Sequence, residues 1–91
     1  MTDLRIGGII HKVKYDRVER TGFVIIVGDD LHHYMALPSY FRLPQLFPQL
    51  TIGSRVNFSP KTTERGMRAR NITVTHVVTE MPDGTAHERA I

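Results

Sequence analysis

The chain is predicted to be all-β: a five-stranded antiparallel Greek-key barrel with a long connection between strands three and four and a C-terminal extension. Three observations lead there. No window of a dozen residues sustains the i, i+3, i+4 apolar spacing of an amphipathic helix. Short β-branched and aromatic runs recur instead, punctuated by Gly, Pro and Asp. The chain has 91 residues, one domain's worth, and closing its sheet would remove exposed edges. An open three-plus-two sandwich is the alternative packing of the same strands.

The elements follow in order. Residues 4–15, LRIGGIIHKVKY, form a first strand whose Gly7-Gly8 pair predicts strong curvature or a bulge. Residues 21–28, TGFVIIVG, form a compact second strand closed by the turn signal Gly28-Asp29-Asp30. Residues 32–37, HHYMAL, form a third that stops at Pro38, and Pro38-Ser39-Tyr40-Phe41 suits one short helical turn. Residues 42–53 are a long connection whose Leu43, Leu46, Phe47 and Leu50 are expected to pack as a cap. In residues 54–63, Val56 and Phe58 share one face and Arg55 and Asn57 the other. Glu64-Arg65-Gly66 turns the chain into residues 67–79, which alternate through Ala69, Ile72 and Val74 with a parity slip between Asn71 and Ile72, as a bulge produces. The barrel is thus assigned to residues 1–79. Residues 80–91, with a Pro-Asp-Gly turn signal, are a tail that either frays or adds a short hairpin arm.

Composition narrows the function. The absence of cysteine excludes disulfides and thiolate metal cages. With no long apolar run and no apolar leader after Met1, the expected location is the cytoplasm. Net charge is +3, unevenly spread. Arg5, Lys12, Lys14, Arg17 and Arg20 cluster in the first segment, and Lys61, Arg65, Arg68 and Arg70 in a later one, whereas the tail is acidic. Brought together, the two basic segments would face a polyanion; apart, they are merely solvated.

Four blocks carry a resemblance: Gly8-Ile9-Ile10, Gly22-Phe23-Val24-Ile25, Gly53-Ser54-Arg55-Val56-Asn57-Phe58, and Gly66-Met67-Arg68-Ala69-Arg70-Asn71-Ile72. In order and spacing they resemble the cold-shock domain family across residues 6–75. The resemblance implies an oligonucleotide-binding (OB) barrel that holds single-stranded RNA or DNA on strands one to three, as an RNA-chaperone-like regulator. Unpaired bases stack on exposed aromatic rings, and cations beside them hold the phosphates. On this reading Phe23 and Tyr34 stack bases, aided by Tyr15 and His32, and Lys12, Lys14 and Arg20 hold the backbone. Arg68 and Arg70 extend the phosphate track or belong to a solvated hairpin. Gly22 is expected to let the strand curl and a base lie close, with Phe23 outward and Val24 and Ile26 inward. The opposite facing, Phe23 in the core and Val24 exposed, is the alternative. The chain departs from the family pattern at Thr21 and Lys12, where aromatics are usual, and in the third strand, where Tyr34 and His32 compete for one stacking place.

Other chemistry is not expected. His32 and His33 are neighbours on a strand and face opposite ways, and neither has companions at ligand spacing, so no metal or cofactor is implied. No phosphate loop, nucleophile elbow or paired carboxylates mark an enzyme. The alternative function is a protein-interaction module in a regulatory or assembly complex, docking through Leu46, Phe47 and Leu50 of the apolar loop.

Overall fold

The first strand's period-two alternation breaks at one residue, and that break lets the sheet close. In the computed structural model, which describes residues 4–80 and 86–90, β1 (Ile6–Asp16) pairs antiparallel with β2 (Thr21–Gly28). The register slips between Ile10 and Lys12, leaving His11 as the extra residue. The bulge therefore falls beyond the Gly7-Gly8 pair, whose role is different. Residues 6–9 also pair with β4 (Arg55–Thr63), so β1 belongs to both walls where it bends. A β-carbon on Gly8 would meet Ile26, the Val27 carbonyl and Phe58 at 2.7–3.0 Å.

β3 (His33–Ala36) pairs with the far edge of β2, and β5 (Gly66–Glu80) pairs with β4. A parallel bridge between Met35 and Arg68 joins β3 to β5 and closes five strands into a barrel. The expected all-antiparallel arrangement is corrected at this seam: the closed barrel is mixed. A chain entering β3 and β5 from the same end can close the gap only in parallel. A sixth strand, β6 (Ala86–Ala90), pairs antiparallel with residues 76–80 of β5, so the tail adds a short arm. The expected Pro-Asp-Gly turn lies outside the described residues.

The predicted bulge in β5 is present. Asn57 pairs with Thr73 but Ser59 with Arg70, and Asn71 takes a left-handed φ of 54°. The extra residue restores the parity that buries both Ala69 and Ile72. The predicted turn after β3 is a 3-10 turn, Pro38–Tyr40, and a second, Pro44–Gln49, follows it. Phe41 bridges Ile72 in parallel, and the Arg42 amide donates to the Ile72 carbonyl at 2.9 Å, fastening this connection to β5.

The core contains Ile10, Val24, Ile26, Tyr34, Phe58 and Ile72, each at most 1% exposed. Phe47 and Leu50 are buried too, and Leu46 is half-buried, so most of the expected cap forms. Leu43 is the exception, at 51% exposed. Among the described residues, no helix is long and apolar enough to cross a membrane.

Candidate functional site

Cross-strand register decides which side chains share the barrel's outer wall. Val24 and Ile26 are fully buried, so their neighbours Phe23, Ile25 and Val27 take the outer face of β2. Three rows result. Ile9, Val27 and His33 form one, and Lys12, Ile25 and Met35 a second. The third pairs Lys14 with Phe23. Phe23, Ile25, Val27 and Met35 are half-buried, whereas Lys12, Lys14 and His33 are exposed. His11, thrown out by the bulge, brings its ring centroid within 5.9 Å of His33. The wall is thus an apolar strip flanked by two lysines on one side and two imidazoles at one end.

The second row continues across the seam. Arg68 on β5 bridges Met35, and Lys61 on β4 pairs with Arg68. The two basic segments, far apart in sequence, therefore meet on one belt: Lys12, Ile25, Met35, Arg68, Lys61. Arg20 stands in the β1–β2 turn with a φ of 56°, next to the start of β2. That turn is held by Asp16, whose carboxylate accepts from the Val18 and Glu19 amides at 2.9 and 3.1 Å. Arg5 belongs to the scaffold. Its guanidinium donates to the Asn57 side chain at 2.6 Å and to the Asn57 and Asn71 carbonyls at 3.0 and 2.9 Å, tying the start of β1 across to β4 and β5.

Several expected positions are corrected. Tyr34 offers no open ring: it is 1% exposed and packs edge-on against Phe58 at 4.9 Å. Its register partner is buried Ile26, which puts it on the inner face. Only its hydroxyl reaches outward, donating to the Asp30 carboxylate at 2.5 Å. Burial first, then that hydrogen bond, pushes the Tyr34 hydroxyl up to about 12. The same bond is the leading cause that lowers Asp30. His32 precedes β3, and its amide donates to Asp30. The outward residue that sequence reasoning passed over is His33.

Tyr15, the last residue of the predicted first strand, is in β1 opposite Gly22, and its ring lies 5.4 Å from Phe47. It therefore lies over the cap and not on the wall. Gly22 shares that inner parity, so its missing side chain opens no space beside Phe23. A β-carbon there would collide with the Lys14 carbonyl oxygen and the Tyr15 backbone. The close approach is by the chain's own first strand. Phe47 and Leu50 are buried, so they cannot dock a partner as expected. What the loop does present is Leu43 and Leu46, at a groove of about 460 Å³ shared with Phe41, Ile72 and Val74.

Tyr40 was not singled out in the sequence either. The Arg70 guanidinium carbon stands 4.0 Å from its ring centroid. The sequence signal was slight: an aromatic beside Pro38, with its arginine thirty residues away. Among the described residues, no three His, Asp or Glu side chains gather as a metal site requires.

No protein-family model matches this chain, and no curated protein matches it in sequence. The class that the fold itself defines is a closed, five-stranded, mixed β-barrel with an appended strand.

Proposed function

We propose that this barrel is an OB-like, cold-shock-type module that binds single-stranded RNA or DNA on the outer wall of β1, β2 and β3. One observation carries the reading: the belt that runs from Lys12 across Ile25 and Met35 to Arg68, with Phe23 and Lys14 in the adjacent row. Phe23 is the stacking ring. Ile25, Val27 and Met35 give bases an apolar floor, and His33 and His11 give a further flat edge at one end. Lys12, Lys14 and Arg20 lie where a backbone crossing this floor would place phosphates. With Tyr34 and Tyr15 turned inward, one phenyl ring remains where three aromatic rings were expected, so affinity rests more on charge than in an aromatic-rich platform. Strong salt dependence follows.

Fluorescence anisotropy with labelled oligonucleotides tests the proposal. Binding at low salt should weaken steeply as salt rises, and Phe23→Ala should lower affinity by the ~1–3 kcal/mol of one stacked base. Absence of salt-sensitive binding to either nucleic acid would overturn it.

The second reading is a protein-interaction module. It is favoured by the Leu43 and Leu46 groove against β5, which is apolar and open. A Leu43→Asp variant that releases a co-purifying protein, alongside a Phe23→Ala variant without effect on oligonucleotides, would favour this reading over the first.

A further inference from the structure

Tyr40 and Arg70 mark a second basic region outside the β1–β3 wall. The turn Pro38–Tyr40 is closed by the Tyr40 amide donating to the Leu37 carbonyl at 2.9 Å, and the next two residues are fastened to β5 at Ile72. The Tyr40 ring is therefore held in place, and it holds Arg70 in turn, since a guanidinium over an aromatic face is attracted by the ring quadrupole. Two open clefts flank this pair and share it. One, of about 340 Å³, lies toward the β4–β5 hairpin and adds Arg65 and Arg68. The other, of about 500 Å³, adds Arg42 and Lys61. Each cleft thus holds three cations with Arg70 common to both, five in all, against Glu64 as the one acidic lining residue.

A single fixed arginine between two cation-lined hollows fits a chain of anions better than a single anion. Consecutive phosphates repel one another and need positive charge on both sides of a crossing point. Arginine supplies planar, bidentate contacts to phosphate oxygens, and a ring that holds the guanidinium reduces the freedom lost on binding. We propose that this saddle is a binding site for consecutive phosphate groups, with Arg70 at the crossing point and Tyr40 as its positioning residue. The phosphates can come from a free polyphosphate chain or from the backbone of a nucleic-acid strand. A strand leaving the outer wall meets Arg68 first, because Arg68 bridges Met35.

The test is an amide-shift titration of the full chain with sodium tripolyphosphate and, separately, with a single-stranded oligonucleotide. The expected result is shifts at Tyr40, Arg42, Lys61 and Arg70 with at least one of the two probes. Arg70→Gln should then weaken the binding at these residues by roughly tenfold or more, as loss of a charge-assisted contact does. Tyr40→Leu, which leaves net charge unchanged, should cost about threefold, whereas Tyr40→Phe retains affinity because the ring remains. Shifts with tripolyphosphate identify free polyphosphate as a competent source, and shifts with the oligonucleotide alone identify the strand. If neither probe shifts these residues, or if Arg70→Gln binds like the parent, the proposal is overturned. Phe23→Ala separates the two sites: it should leave tripolyphosphate binding intact even where oligonucleotide binding to the outer wall is lost or was never present.

Discussion

Tyr34 shows how much a single side chain can alter the reading of a surface. Its ring belongs to the core and only its hydroxyl meets the Asp30 carboxylate. Because the folded hydroxyl titrates near 12, above the ~10 of an unfolded tyrosine, its contribution to stability is complete below about pH 10. That contribution is lost as pH rises toward 12. Asp30 behaves in the opposite sense: its lowered pKa adds stability above the ordinary carboxylate range, lost on acidification through it. Denaturant titrations of the parent and Tyr34→Phe should therefore differ at neutral pH and converge on the alkaline side. A Tyr34→Phe variant with an unchanged alkaline profile would contradict this account. Gly22 supports a second prediction at this scale. Alanine there must displace the backbone of β1, so Gly22→Ala should cost about 1–3 kcal/mol or more, read as a lowered denaturation midpoint. Phe23 faces outward, as the resemblance implied, because Val24 and Ile26, one and three residues further along β2, take the inner face. The burial of Tyr34 was not legible, since alternation in a four-residue strand that opens at the second of two adjacent histidines does not reveal its phase.

At the scale of elements, β-bulges and the cap do the shaping. Register breaks add one residue to a strand at His11, around Asn71 and again between Val74 and His76, and the first two reset which residues face inward. The second was visible as a parity slip in the sequence. The first was displaced from the glycines that suggested it, because Gly8 answers to close packing between the two walls and Gly7 to the Asp29 side chain beside it. The connection after β3 covers one end of the barrel with Phe47, which meets Tyr15 at 5.4 Å and Phe41 edge-on at 5.5 Å. Phe47→Ala should therefore cost about 3–5 kcal/mol, measured by equilibrium unfolding, as other buried aromatic truncations do. Leu43→Ala, at an exposed position, should cost little by comparison. That contrast was hidden in the sequence, where LPQLFPQL shows four apolar residues without saying which of them turn inward.

At the scale of the whole molecule, closure through β3 and β5 sets the two basic segments on one continuous belt, with Ile25 and Met35 between them. Lys12 and Lys14 come from one, Arg68 and Lys61 from the other, and Met35 lies between them. The proposed strand-binding wall therefore makes a quantitative prediction. If Lys12, Lys14 and Arg68 each neutralise one phosphate, the logarithm of affinity should fall with the logarithm of salt with a slope of about −2. Longer oligonucleotides that also reach Lys61 and Arg70 should steepen it to roughly −3.5. A slope near zero with tight binding would instead point to an apolar, protein-like contact.

Leaving the facing of β2 open between Phe23 and Val24, the sequence by itself determined that the chain is all-β, where most strands lie and which residues share a face of β4 and β5. Those features depend on local alternation, turn residues and the scarcity of helix-compatible spacing, all written within a few neighbouring positions. Only the tertiary structure decided the parallel seam, the phase of β3, the inward turn of Tyr15 and Tyr34, and the meeting of Tyr40 with Arg70. Each depends on contacts between residues distant in the chain, and such contacts form only when the barrel closes.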